Sequence, residues 1–406
     1  MLEPLSDGRY RLLWLTGLCA STARWMDVVV LGWLALALTD SPLMVGVAAF
    51  CRAVPMMALG PFAGVLADRL PRVHVMSAVQ VLNVAAASVL ALLFVTGRAG
   101  FGILVAIEVV LGIAWVLDFP ARRTVLFIVA GRERLTAAIS LETVSMQAAK
   151  MVGPLLGGLF LAQAGPAACY LAFAGLSLGA LIATRRLTRR VTLPGVPGVE
   201  PVLDSLLAGL HEARRHPAIL GVLAVTVLMN TLVFPYQQML PVFARDVLHV
   251  GPVPLGLLVT AQGLGALISS AVIGMRGGPE GQGRGRLFAG SSLAGALLLL
   301  AFASSPWYAL SLALQLAIGA TDSGFGTMQS AIVLLAAPER AHGRIMGILS
   351  ACIGTQPLGS LWIGFLASRV GAPLATGLNA ALAVALMIPV AVRLLGAGPM
   401  DRRRPS

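Results

Sequence analysis

Residues 64–96 read GVLADRLPRVHVMSAVQVLNVAAASVLALLFVT, and their pattern sets the fold class. Asp68, Arg69 and Arg72 crowd into the opening turn of this stretch, and residues 74–96 then carry no Asp, Glu, Lys or Arg at all. A helix that crosses a bilayer needs about 20 predominantly apolar residues. Short strands do not reach this length, and a membrane barrel would show alternation instead. The same motif, a burst of charge followed by a long apolar run, recurs along the chain. Apolar runs fall at roughly 12–38, 43–67, 74–96, 101–121, 136–162 and 167–184. After a polar stretch, six more fall at roughly 218–243, 253–275, 287–305, 307–330, 345–367 and 372–392. The expectation is an all-α polytopic membrane protein with twelve transmembrane helices.

Composition agrees. Apolar residues make up 58 % of the chain, charged residues 11 %, and mean hydropathy is +0.88. Soluble domains carry about 25 % charged residues, so a soluble enzyme is excluded. The net charge of +12 suggests nucleic acid, but the basic residues sit in short bursts between apolar runs rather than on one soluble face, and no nucleic-acid partner is expected. Cys19, Cys51, Cys169 and Cys352 stand singly in apolar segments, and His74, His211, His216, His249 and His342 lie singly in loops or at span ends. Neither set has metal-ligand spacing, and there is no phosphate-cradling Gly-x-x-x-x-Gly-Lys-[Ser/Thr]. No cofactor, metal or enzymatic activity is expected. The polar first 11 residues lead straight into a long apolar run without a cleavage signal, so the first span is expected to be retained.

The arginines orient the chain. The N-terminal tail, the even-numbered connections and the C-terminal end hold 23 of them, against three (Arg98, Arg245, Arg369) in the odd-numbered connections. By the positive-inside rule both termini are cytoplasmic. The chain is also a weak repeat of itself. Gly153-Pro154-Leu155-Leu156-Gly157-Gly158 is echoed by Gln356-Pro357-Leu358-Gly359 at an offset of about half the chain. Three parts are expected: 1–184, an N-terminal six-helix bundle; 185–217, a cytoplasmic linker; and 218–406, a C-terminal six-helix bundle. Within the linker, Leu206, Leu207 and Leu210 share a face of a short amphipathic helix over Leu203 to Arg215.

Several of these stretches resemble one family. Gly64-Val65-Leu66-Ala67-Asp68-Arg69-Leu70-Pro71-Arg72 resembles the signature loop of the major facilitator superfamily, and Gly153-Pro154-x-x-Gly157-Gly158 resembles the span-5 segment of its antiporters. Arg11-Leu12-Leu13-Trp14, Thr39-Asp40-Ser41-Pro42 and Gly343-Arg344 resemble its enterobactin-exporter and macrolide-efflux branch. Pro71 replaces the usual glycine of the loop, and span 4 lacks the arginine of many exporters. The resemblance implies the major facilitator fold of two pseudo-symmetric six-helix halves, with spans 1, 2, 4 and 5 facing a central cavity. It also implies that Asp68, Arg69 and Arg72 form a conformational latch and that Gly153, Pro154, Gly157 and Gly158 serve helix packing.

The charges inside the spans carry the candidate chemistry, since each costs roughly 2.5–3.5 kcal/mol at a span centre on insertion scales. Arg24 and Asp27 lie in span 1, Arg52 in span 2, Glu108 in span 4 and Lys150 in span 5. Arg24 and Asp27 are three apart, on one helix face, and can pair directly. Asp27 and Glu108 are the proton-coupling candidates. Arg24, Arg52, Lys150 and, at the repeat position of Arg52, Gln262 are the substrate-cavity candidates. Their balance of charge suits an anionic or zwitterionic substrate. Trp25 and Met26 point to other faces of span 1, as packing residues. Asp118 and Asp322, near repeat-related positions, with Arg122 and Arg344, are candidates for a cytoplasmic gate.

These readings converge on a monomeric, multi-pass protein of the bacterial inner membrane, driven by a proton gradient, that exports a small organic molecule by alternating access. A proton symporter that imports a metabolite and a lysophospholipid flippase are the alternatives.

Overall fold

The protein's structure, a computed structural model, describes residues 3–69, 71–189, 210, 211, 213–275, 282–337 and 342–396. At 3, 61–69, 132, 133, 136, 282, 343 and 391–396 it describes the backbone alone. Every regular element among the described residues is helical. Helix α1, Gly8–Thr39, starts where the Asp7 side chain accepts the Arg9 backbone N–H at 2.7 Å. The Arg9 guanidinium adds a 2.9 Å ion pair that holds the Asp7 carboxyl below its usual range. It ends at Asp40, whose φ of 51° is a left-handed conformation that a short polar side chain tolerates. Helices α2, Pro42–Arg69, and α3, Arg72–Val95, follow.

The run Phe101–Thr188 is helical throughout except at Gly131 (φ 69°) and Gly165 (φ 77°). Those angles suit only glycine, so the chain turns there. Three helices result: α4 (101–130), α5 (132–164) and α6 (166–188). Helix α4 continues nine residues beyond the expected apolar run (which ended at 121), for a packing reason. Ala121, Val125 and Leu126 close a core with Tyr10, Leu13, Met76, Leu141 and Leu187 at the arginine-rich end of the bundle.

The second set comprises α7 (Pro217–Val247), α8 (Pro252–Met275), α9 (Gln282–Ala303), α10 (Tyr308–Ala336), α11 (His342–Ile353 and Gln356–Val370) and α12 (Ala372–Gly396). By length and composition ten described segments can cross a membrane. One of them, Ala137–Thr188, turns at Gly165 into two helices, and with the 29-residue α10 the described long helices number twelve.

Two of these helices are irregular in a way their composition hides. Helix α7 widens to π geometry at Met229–Val233 and Phe243–Val247. Helix α11 breaks at Gly354 and Thr355, just before Pro357, which has no N–H for the ladder. The two irregularities meet: Thr231 Oγ1 donates to Thr355 Oγ1 at 3.2 Å.

The repeat read from the sequence recurs as contacts. A Cβ at Gly112 of α4 would overlap the Arg52 carbonyl of α2, and one at Gly319 of α10 would overlap the Gln262 carbonyl of α8. Gly153 of α5 lies against the Thr22 carbonyl of α1, and Gly359 of α11 against the Thr231 carbonyl of α7. Two six-helix halves therefore repeat one packing scheme.

The chain divides into two compact units, Met1–Val199 with Val250–Thr260, and Glu200–His249 with Ala261–Ser406. Within the first unit, Gly158 meets the Pro252 carbonyl, Gly256 meets that of Pro154, and Thr260 Oγ1 donates to the Met151 carbonyl at 2.7 Å. The amphipathic helix expected from Leu203 lies outside the described residues as far as position 209.

Candidate functional site

The site begins with the close approach at Gly112. Because no side chain intervenes, the α2 backbone at Arg52 presses against α4, and Glu108, four residues before Gly112, shares that face. Arg52 is thereby brought between two carboxylates. Its Nη1 is ion-paired with Asp27 Oδ2 of α1 and lies 3.2 Å from Glu108 Oε2. Its Nη2 donates to the Arg24 carbonyl at 3.3 Å. Asp27 is 1 % exposed and Glu108 is fully buried. Asp27 Oδ1 and Glu108 Oε1 have no hydrogen-bond partner among the described residues, and neither does the buried Tyr170 hydroxyl of α6. Tyr170 lies within electrostatic reach of Asp27, Glu108 and Arg52.

The spacing of Arg24 and Asp27 suggests a pair within α1, and the structure differs. Arg52 takes Asp27, while the Arg24 guanidinium lies 3.6 Å from the ring centroid of Trp115 on α4. Trp115 is seven residues after Glu108, on the same helix face, so its position was readable from the 108, 112, 115 spacing. Trp25 also does more than pack, since Lys150 Nζ sits 5.2 Å over its ring.

Arg24, Asp27, Arg52, Trp115, Asp118 and Arg122 line a pocket inside the first unit, and Gln80 and Asn83 of α3 add its neutral polar lining. Sequence reasoning missed Gln80, Asn83 and Tyr170, which come from helices without a charged residue near their centres. Asp118 is ion-paired with Arg122 one turn on.

The remaining candidates fall elsewhere. Lys150 is not among the residues lining this pocket. In the second unit Gln262 Nε2 donates to Asp322 at 2.8 Å, and Arg344 is exposed near the start of α11. Arg72 is buried at the start of α3. The side chains of Asp68 and Arg69 lie outside the described residues. Gly153 and Gly157 pack on α1, Pro154 and Gly158 on the start of α8.

Twelve helices in two repeated halves, with an ion network buried in the first, define a polytopic membrane protein of the major facilitator type. A sequence profile described as "transmembrane secretion effector" matches residues 1–402, and the chain belongs to this family. The enterobactin exporter EntS of Shigella boydii is 27 % identical over 274 residues, 65 % of this chain and 63 % of that protein. The staphyloferrin A transporter of Staphylococcus aureus is 21 % identical over 250 residues, 61 % of this chain and 62 % of that protein. The matches thus span somewhat under two thirds of these relatives. Among solved structures, a bacterial homologue of the lysosomal transporter Spinster, inward-facing, superposes with a TM-score of 0.72 at 12 % identity. It covers 96 % of this chain and 98 % of its own. An inward-facing bacterial homologue of ferroportin gives 0.71 at 16 % identity, with 94 % and 98 % covered. The named relatives are transport proteins, not enzymes.

Proposed function

We propose that the protein is a secondary active transporter of a bacterial inner membrane that exports small anionic or zwitterionic organic molecules in exchange for protons, by alternating access. The observation that carries this reading is the buried Asp27–Arg52–Glu108 network on the wall of a polar pocket. Charges so placed are costly and serve a partner or a pathway. Two carboxylates compete for one guanidinium, so a proton on either weakens its hold on Arg52. A protonated network releases Arg52 toward a substrate anion; a deprotonated one reclaims it. Proton entry and substrate departure become alternatives at one residue.

In this reading Asp27 and Glu108 carry the proton, and Arg24, Arg52, Lys150 and Gln262 contact substrate. Asp68, Arg69 and Arg72 act as the latch, and Asp118, Asp322, Arg122 and Arg344 as the cytoplasmic gate. The halves are 1–184 and 218–406, joined by 185–217, in a monomer with both termini cytoplasmic. The relatives named as an enterobactin exporter and a staphyloferrin A transporter support a small-molecule substrate.

The test is accumulation in an exporter-deficient bacterium, comparing wild type with Asp27→Asn and Lys150→Ala. The compounds are enterobactin, staphyloferrin A, a macrolide, and matched anionic, zwitterionic and cationic molecules, each with and without a protonophore. Wild type should lower the accumulation of an anionic or zwitterionic compound, the protonophore should abolish this, and both variants should fail while still reaching the membrane. Raised accumulation would make the protein an importer. Variants indistinguishable from wild type would make these charges structural.

A further inference from the structure

Two pockets inside the first unit share one side chain. One holds Arg24, Asp27 and Arg52. The other lies nearer the arginine-rich end, between Tyr10 and Ser21 of α1, Leu126 of α4, and Glu142 and Ser145 of α5. Arg122 lines both. It is 7 % exposed and is ion-paired with Asp118. Its Nη1 fills the space beside Gly17, 3.1 Å from where a Cβ would stand. A cavity with room for a water molecule and several convergent polar groups can hold one.

On the far side of Arg122 stands Glu142, whose carboxylate makes no hydrogen bond among the described residues. Among the described residues of its pocket, the titratable groups beside Glu142 are Tyr10 of α1 and Arg122 of α4, with Asp118 behind Arg122. The Tyr10 hydroxyl is already committed to the Ala138 carbonyl at 3.0 Å. A carboxylate with no hydrogen-bond partner among the described residues therefore sits across the Arg122 guanidinium from a pocket walled by Asp27.

We infer that Glu142 is the cytoplasmic station on the proton's way out of the Asp27–Glu108 network, and that Arg122, held by Asp118, is the stopper between the two pockets. The inference rests on the reading of the chain as a proton-coupled transporter. In the transfer, the O–H bond of the protonated Asp27 or Glu108 breaks and leaves its electron pair on that carboxylate. Pocket water carries the proton, a new O–H bond forms on Glu142, and Glu142 then gives the proton to cytoplasmic water. Arg122 cannot relay it, because a guanidinium keeps its own protons. Its positive charge instead opposes an excess proton beside it. The path conducts when Arg122 leaves the shared wall, so protons do not leak while the Asp118–Arg122 pair stands.

The experiment uses the full chain in liposomes loaded with a pH-sensitive dye, with an imposed pH step and no organic compound present. Wild type should be tight. Arg122→Gln should admit protons faster by about tenfold, the factor that ~1.4 kcal/mol of lost repulsion from the Arg122 charge gives. Gly17→Ala, whose added Cβ would crowd the Arg122 side chain, should leak in the same direction and serves if Arg122→Gln is lost from the membrane. Adding Glu142→Gln to either variant should return the leak to the wild-type level, while Glu142→Asp should preserve it. A tight Gly17→Ala, or a leak untouched by Glu142→Gln, overturns the path. Proton movement driven by the export panel in wild-type liposomes judges the transport reading separately, since its absence would sink that reading whatever the leak assay gives.

Discussion

Arg52 is the residue on which the first unit's charges depend, because Asp27 and Glu108 are both buried against it. Removing one member of a buried ion pair leaves an uncompensated charge and costs roughly 3–5 kcal/mol. Arg52→Leu should therefore lower the thermal midpoint of the detergent-solubilised protein sharply. Arg52→Leu combined with Asp27→Asn and Glu108→Gln should recover much of the loss, because coupled sites do not add. A triple variant as unstable as the single one would show that the cost lies in packing. At this scale the sequence was a partial guide. It identified all three charges as unusual, yet spacing along one helix pointed Asp27 at Arg24. The real partner comes from another helix, and no count along α1 can see it. Arg24 could be released from Asp27 because Trp115 offers its ring instead. A cation over a ring leaves no mark in charge bookkeeping.

At the scale of the helix, the two related close approaches, Gly112 on Arg52 and Gly319 on Gln262, position both halves' polar side chains. Alanine at either must push a backbone carbonyl aside, and overpacking of this kind costs about 1–3 kcal/mol. Gly175 of α6 has nothing within 4 Å of an added Cβ. There alanine should be neutral or stabilising by up to about 1 kcal/mol through helix propensity. Thermal midpoints should therefore fall for Gly112→Ala and Gly319→Ala and hold or rise for Gly175→Ala. Equal shifts at all three would remove the packing argument. Helix existence was legible because apolar runs of bilayer length have few other solutions. Helix shape was less so. The first π turn of α7 and the break of α11 fall where Pro235 and Pro357 withhold donors and where Thr231 meets Thr355, and the last of these is a tertiary contact.

Across the whole molecule, the arginine count argues one orientation: 23 on one side and three on the other. Alkaline phosphatase, active only outside the cytoplasm, supplies the check. Fusions in the connections at Arg98, Arg245 and Arg369 should be active, and fusions at Gly131, in the 185–217 linker and at the C-terminal end should be silent. The reverse pattern would turn the protein over in the membrane and, with it, the direction assigned to Glu142.

The strong preference for arginine has a last consequence. Lys150 is the only lysine in the chain, and it rests over the Trp25 indole inside the helical bundle. Acylating reagents aimed at amines therefore find one side-chain address in 406 residues, next to a fluorophore whose emission depends on what lies above it. The native molecule arrives already fitted with a single-site reporter, and the rate at which Lys150 is acylated is a stopwatch for how often water reaches the middle of the bundle.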